Sequence, residues 1–463
     1  MAGQFKEGIA TCRQVLSYAP TDPNALYMMG VAAAQLGDAN TTQVAFDAAL
    51  KVTPDRVDLL MNYGNFLRET GALERARVLL QRASELAPKT AGVWQALSST
   101  QLRLERFDAA LVSAERFIAL APKEAAAWEL AAGAAQRLGN LDRALAIIKG
   151  GLESLPESPS LHYALGQLNR ENGEFAAAST AYERARQLGF QSADLYRNNA
   201  ESLLEEGRPL DAAAFARAGL ARFPSDIALH QVATRLHVES KSPGDPVGEL
   251  MKAARSERTN ATLWETAIGF LKYLDREEDE QRLLEEALSS GSPKTPRLLS
   301  LQAIAMAEAG DTKQMVATYE NLLGRFPDDA GVKFDFAIQL LKMSEPRRAN
   351  RLFDEVLKNS PLDQMALGFK STALRLMGDD RLDDLVDHND MVFEVEIPVP
   401  NGYSSRSEYF AEVAAVLETL HHTHAHPIDQ SVRGGTQTNG FLFRIAHPAI
   451  KQLEQQIRLA VAE

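Results

Sequence analysis

The sequence predicts an all-α solenoid of helix-turn-helix units followed by a small, incomplete α+β segment. Three observations carry this expectation. Prolines recur at a strict interval of 34 residues, at Pro20, Pro54, Pro88, Pro122 and Pro156. Small and large apolar residues occupy fixed places within each interval. The pattern then stops after residue 378, where an acidic stretch begins. A period of this length marks stacked helical hairpins, each too small to bury its apolar face alone, so stability accumulates between neighbours. Such a stack offers a binding surface rather than a catalytic pocket.

With each unit ending just past its proline, the first full unit is 23–56. Trp94, Trp128 and Trp264 share one position on the first helix, filled elsewhere by Leu26, Leu60 and Tyr196. Gly30, Gly64 and Gly166 stand where the two helices of a pair approach most closely. Ala76, Ala110, Ala144, Ala178 and Ala212 hold a small site on the second helix, and Phe46, Leu80, Ile148, Tyr182 and Leu284 a large one four residues later. Small residues let helices approach and large ones fill the space between them. Proline stops the second helix because it lacks an amide hydrogen and clashes with the preceding turn. Leu36-Gly37-Asp38 and Leu138-Gly139-Asn140 end first helices, with Gly at a left-handed cap. Phe190 replaces one proline and Pro224 restores the phase; one inserted residue near Pro293 shifts it before Pro327 and Pro361. About ten full units fit between residues 23 and 363.

These matched positions resemble the tetratricopeptide repeat (TPR) family over roughly four fifths of the chain. The resemblance implies a right-handed superhelical solenoid whose groove is lined by first helices and takes a protein or peptide partner.

Unit 227–260 departs most from the pattern. Ser242-Pro243-Gly244-Asp245-Pro246 falls where its second helix should begin, which predicts a longer loop and a short helix from about Val247 to Arg255. Aligned to Pro20, residues 1–18 form a second helix without its first, exposing Phe5, Ile9 and Val15. Two readings stay open: an improvised cap, or a start inside a longer array. A further helix is expected from about Asp363 to Met377, with Leu367, Ala373, Leu374 and Met377 on its apolar side. The solenoid thus spans 1–378 and a linker occupies 379–390.

Composition narrows the function classes. A net charge of -13 disfavours unaided binding to nucleic acid or anionic membranes. The single cysteine, Cys12, excludes an internal disulfide framework, fits a reducing cytoplasm and falls on a site expected to be buried. No run is long and apolar enough to span a bilayer, and the first residues lead straight into a helical pattern rather than a secretory signal.

Residues 391–463 differ in kind. Phe393-Glu394-Val395-Glu396-Ile397 alternates as a half-buried strand does, and Pro398-Val399-Pro400-Asn401-Gly402 reads as a turn. Ser405 and Glu408 form a capping box for a helix presenting Phe410, Val413, Leu417 and Leu420. A last helix from about Pro448 turns Ile450, Leu453, Ile457 and Val461 inward.

The run from His426 to Thr438 resembles the opening of 2-oxoglutarate/iron(II)-dependent oxygenases fused behind tetratricopeptide arrays in bacteria. Its core is Gln430, Ser431, Arg433, Gly434, Gly435, Thr436, Gln437 and Thr438; Pro398, Pro400, Gly402, Tyr403 and the helix to His421 fit the same opening. The resemblance implies a double-stranded β-helix holding iron(II) through two His and a carboxylate, completed by 2-oxoglutarate, with positions left open for oxygen. The sequence departs from that pattern: no His-x-Asp or His-x-Glu with a distant His follows residue 391, and one strand cannot close a barrel. This chain is therefore expected to hold no cofactor and no catalytic or metal-binding residues, as an incomplete form of a longer enzyme would. His421, His422, His424 and His426 are crowded, but they read as a helix end entering a loop more readily than as a metal site. Arg433 beside its glycines either clamps a carboxylate or holds the loop structurally.

The groove residues expected on the first helices are Tyr27, Asn65, Arg68, Gln95, Arg103, Glu129, Gln136, Tyr163, Arg170, Arg197, Glu201 and Lys272. Their charges are mixed. Asn62 and Asn198 share an offset without making an asparagine ladder, and Arg170 with Arg197 suits an acidic peptide unless both are simply solvated. Two functions follow: a non-catalytic interaction scaffold, or the recruiting arm of an oxygenase that is active as a hydroxylase only in a longer form. A glycosyltransferase or sulfotransferase reading lacks a phosphate-cradling loop.

Overall fold

The structure is a computed structural model that describes residues 2–386, 394–420, 442–445 and 447–462. It divides into two compact units, Met1–Leu195 and Tyr196–Glu463. In the first, α1 (Ala2–Tyr18) precedes five helix pairs: α2 (Pro23–Gln35) with α3 (Ala39–Val52), α4 (Val57–Glu69) with α5 (Leu73–Leu86), α6 (Ala91–Arg103) with α7 (Phe107–Leu120), α8 (Ala125–Arg137) with α9 (Leu141–Ser154), and α10 (Pro159–Glu171) with α11 (Phe175–Gln187). The second unit starts inside α12 (Ala193–Glu205), which is followed by α13 (Pro209–Leu220). Its further pairs are α14 (Ile227–Glu239) with α15 (Gly248–Ser256), α16 (Ala261–Tyr273) with α17 (Glu277–Ser289), α18 (Pro296–Glu308) with α19 (Thr312–Arg325), and α20 (Ala330–Lys342) with α21 (Pro346–Asn359). Then come α22 (Gln364–Met377), α23 (Arg381–Leu385), α24 (Arg406–Leu420), a short 3-10 turn (Leu442–Arg444) and α25 (Pro448–Ala462).

The prolines set the helix ends as expected. α3, α5, α7 and α9 each stop two residues before Pro54, Pro88, Pro122 and Pro156. The residue just before each proline leaves the helical region, as Thr53 does at φ -132°, ψ 74°, because the pyrrolidine ring disfavours helical angles there. First helices end in a left-handed residue every 34 positions: Gly37, Gly71, Gly139, Gly173 and Gly207 all have positive φ. Glu105, Lys241, Asp275 and Ser344 occupy the same place with φ of 50° to 59°. A side chain there costs about 1–2 kcal/mol, offset in part by glycine's greater unfolded-chain entropy. Glu105→Gly, Lys241→Gly and Ser344→Gly are each expected to stabilise by about 0.3–1 kcal/mol. Urea unfolding checks this, and a loss of stability at all three would refute the backbone argument.

Inside the pairs, size complementarity is tight. A Cβ on Gly30 would lie 2.5 Å from the Phe46 ring, and one on Gly166 2.6 Å from the Tyr182 ring. Where Ser98 replaces the glycine, the facing large site is reduced to Ala114, and both are buried. The insertion near Pro293 appears as a long link between α17 and α18, with Thr295 capping α18 by accepting from the Leu298 amide at 3.2 Å.

The loop before α15 is as long as the sequence suggests. Asp245 accepts from the Val247 amide at 3.0 Å and pairs with Arg276 at 2.6 Å, while the His237 ring donates to the Gly244 carbonyl at 3.3 Å. α22 begins after Asp363, whose side chain accepts from Ala366 N, and it buries Ala366, Ala373 and Leu374.

Several expectations require correction. Ile9 is buried against Ala32 and Ala33, and Phe5 packs with them, so α1 covers α2 and leaves only Val15 of that trio exposed. Cys12 lies beside this contact and is half-buried rather than buried; that burial and the charge of Asp22 push its thiol pKa up. Residues 394–397 are irregular, not a strand, and no strand is present among the described residues. Alternation alone leaves backbone groups unpaired unless a second strand accepts them, and here Glu396 instead pairs with Arg406 at 2.7 Å. Among the described residues, the C-terminal segment expected to be α+β carries helices and no strand. α24 and α25 bury Tyr409, Val413, Ala449 and Ile450 together. Phe410 is turned outward, as is Val461 on α25. The cap of α24 is also shifted: Ser405 accepts from Glu408 N at 3.2 Å, but the Glu408 carboxylate accepts from Ser404 N rather than Ser405 N.

Candidate functional site

The first helices of unit 1 carry the candidate surface. Asn65 and Arg68 on α4, Gln95 on α6 and Glu129 on α8 line one hollow of about 470 Å³. Gln95 and Glu129 stand one 34-residue period apart, whereas Asn65 and Arg68 hold other offsets on the preceding first helix. Gly92, Ala96, Ser99, Leu102, Ala126 and Leu130 complete its walls, and the small ones among them, Gly92, Ala96, Ser99 and Ala126, keep it open. Sequence reasoning did not select them, although Ser99 and Leu102 repeat the offsets of Asn65 and Arg68.

The other predicted residues in this unit serve mostly as internal braces. Tyr27 lies under the Arg56 guanidinium at 4.2 Å, and its hydroxyl accepts from Asn62 at 2.6 Å. Burial, with the Asp58 charge, pushes the Tyr27 phenol pKa up. Arg103 donates to the Arg68 carbonyl, and Gln136 donates to the Glu171 carboxylate. Tyr163 stacks on Phe190 at 4.5 Å and accepts from Gln167 at 3.2 Å. Arg170 sits near the end of α10, half-buried.

Arg197, Glu201 and Lys272 belong to the second unit. Glu201 faces Arg235 at 3.9 Å, and Lys272 pairs with Glu308 at 2.8 Å and Glu280 at 3.7 Å. Desolvation raises the pKa of Glu239, Glu280 and Asp335 here, and Asp335 is held by Arg297 at 2.7 Å. The oxygenase-like residues Gln430, Ser431, Arg433, Gly434, Gly435, Thr436, Gln437 and Thr438, with His421, His422, His424 and His426, lie outside the described residues. Among the described residues no cluster of three His, Cys, Asp or Glu side chains is placed to hold a metal ion, and no helix is long and apolar enough to cross a membrane.

A second recurring device anchors the first helices. Trp94 and Trp128 donate from Nε1 to the carbonyls of Pro88 and Pro122 at 2.8 and 2.9 Å, and Trp264 donates to Arg258 at 3.3 Å. His162 and His230 take the tryptophan's place and bond the carbonyls of Pro156 and Pro224 at 2.9 and 2.8 Å. A carbonyl only accepts, so Nε2 carries the proton in both. Burial holds the His230 pKa down, which keeps that ring neutral. The sequence signal for these histidines was the period itself: both stand 34-residue multiples from Trp94.

Models of the Tetratricopeptide repeat family match residues 33–99, 96–159, 163–227 and 299–329. Among solved structures the chain is similar to pilF of Pseudomonas aeruginosa, with 16% identity over 45% of this chain and 95% of that one, at a TM-score of 0.38. It is similar to a tetratricopeptide repeat protein of Parabacteroides merdae, with 15% identity over 50% and 91% of the two chains, at a TM-score of 0.40. A thermophilic TPR protein of Thermus thermophilus is 23% identical over 39% of this chain and 98% of its own, at a TM-score of 0.33. No curated protein matches. The chain carries tetratricopeptide repeats, built as an all-helical solenoid of paired helices.

Proposed function

We propose that the chain is a protein–protein interaction scaffold that seats an extended peptide segment of a partner along the first helices of unit 1. The observation that carries this is the hollow lined by Asn65, Arg68, Gln95 and Glu129, polar side chains from three successive repeats converging on one space. Packed small residues below and polar groups around the rim suit a main chain with its side chains. A photoreactive phenylalanine analogue at Ser99, inside the hollow, is expected to crosslink the partner, whereas one at Val78, exposed on α5, is not. Equal labelling from both positions would reject the groove. The proposal includes a cytoplasmic setting, for which the single cysteine speaks, and neither nucleic acid nor membrane as a partner.

A finer reading makes the array the recruiting arm of a 2-oxoglutarate/iron(II) oxygenase. It rests on the resemblance of the run from His426 to Thr438, with Pro398, Pro400, Gly402, Tyr403 and the helix to His421, to the opening of such enzymes. On this reading the chain itself turns over no 2-oxoglutarate, and sustained iron(II)-dependent decarboxylation by the purified chain would refute it.

A further inference from the structure

The hollow in unit 1 holds shielded polar atoms that the fold leaves unmatched. Nearby, Arg106 pairs with Glu74 at 2.7 Å and Arg56 with Asp58 at 2.8 Å. Arg68 and Glu129 line the same space, yet neither forms an ion pair with the other or with any described residue. The side-chain carbonyl of Asn65 and one carboxylate oxygen of Glu129 are shielded from solvent and accept no hydrogen bond from the described residues. Shielded acceptors of this kind are costly when left unmatched.

The two charges are also separated in a definite order. Arg68 lies on α4, and the Arg103 guanidinium reaches across to its carbonyl, which gathers positive charge at that end. Glu129 lies on α8, with Gln95 of α6 between. Packed helices lie about 8–10 Å apart, so α4 and α8 are roughly 16–20 Å apart. Extended chain advances about 3.3 Å per residue, which spans that distance in roughly five or six residues and fewer where long side chains reach inward.

Resting on the groove reading above, the geometry points to a dipolar peptide as the occupant: an extended segment with an acidic side chain beside Arg68 and Arg103, and a basic side chain roughly four to six residues away beside Glu129. Between them Asn65 and Gln95 bond the peptide backbone, and the small residues of the floor admit only modest side chains. A lone acidic peptide leaves Glu129 unmatched, and a lone basic peptide meets two arginines. Charge complementarity therefore selects a segment bearing both signs.

Fluorescence anisotropy on the full chain tests this with three blocked ten-residue peptides that differ only at two positions five residues apart: Glu and Lys, Glu and Glu, or Lys and Lys. The mixed peptide is expected to bind about ten-fold more tightly than either like-charged one. Glu129→Lys should transfer that preference to the Glu/Glu peptide, a change of partner that a folding defect does not produce. Ser99→Trp, which fills the hollow, should abolish binding of all three. Equal binding of the three peptides, still abolished by Ser99→Trp, would overturn the dipolar preference and leave the groove standing. Binding indifferent to Ser99→Trp, or no binding by any peptide, would overturn both.

Discussion

Trp264→Ala is expected to destabilise the second unit by about 3–5 kcal/mol, the range for removing a large aromatic from a closed core. Trp264 is fully buried and is the largest such side chain in the chain. It packs within a continuous cluster that includes Leu250, Leu263, Ile268, Leu283 and Leu298, and its Nε1 donates to the Arg258 carbonyl. Truncation loses the apolar contact, leaves a cavity that helices fixed by their neighbours cannot collapse, and frees a carbonyl at the turn into α16. Trp94 provides the comparison, because it stands at the same repeat position and makes the same kind of bond to a proline carbonyl. It is only half-buried, so Trp94→Ala is expected to cost roughly half as much. Urea unfolding followed by circular dichroism, with hydrogen exchange to assign the loss to each unit, separates the two. Equal losses would mean that the carbonyl bond, not burial, sets the value of the tryptophan.

What the sequence made visible was whatever acts locally or repeats. Proline acts on its own residue and the one before, so the ends of α3, α5, α7 and α9 were legible without any knowledge of packing. The same holds for Gly37 and Gly139 at left-handed caps, whereas Glu105 and Lys241 in that conformation are visible only through the period, since neither residue type advertises it. Within the groove, the template's exposed first-helix positions included Asn65, Arg68, Gln95 and Glu129, which line one hollow. The period could not show that Gln136 is engaged by Glu171 or that Arg103 reaches the Arg68 carbonyl, because those bonds depend on the rotamers of long side chains 35 residues apart. Outside the repeat that guidance ends. Alternation over 394–397 resembles a strand, yet nothing in a short alternating run supplies the second strand that a sheet requires. On α24, choosing between Tyr409 and Phe410 as the buried ring depends on where α25 docks, and Tyr409 wins by donating its hydroxyl to the Ala449 carbonyl at 3.2 Å.

Gly166→Ala should destabilise the first unit by about 1–2 kcal/mol, although helix propensity alone favours alanine by about 1 kcal/mol. The added methyl would sit 2.6 Å from two ring carbons of Tyr182, well inside the roughly 3.5–4 Å at which carbon atoms attract. Tyr182 is fully buried and rigid, so the ring cannot swing aside without moving α10 and α11 apart. Overpacking of this kind costs about 1–3 kcal/mol, enough to reverse the propensity gain. Two glycines in the same unit calibrate the effect. Gly64→Ala meets Leu80 at 2.7 Å, but a branched aliphatic chain can change rotamer, so its penalty should be smaller. Gly133 lies within α8 with nothing within 4 Å of a Cβ, and Gly133→Ala is expected to stabilise by about 0.5–1 kcal/mol. The ordering, with Gly133→Ala above wild type and Gly166→Ala below Gly64→Ala, is read from urea midpoints. A stabilising Gly166→Ala would mean that the helices of this pair can separate at little cost. The close approach that Gly30, Gly64, Ser98 and Gly166 encode would then not be what fixes the geometry of the repeat.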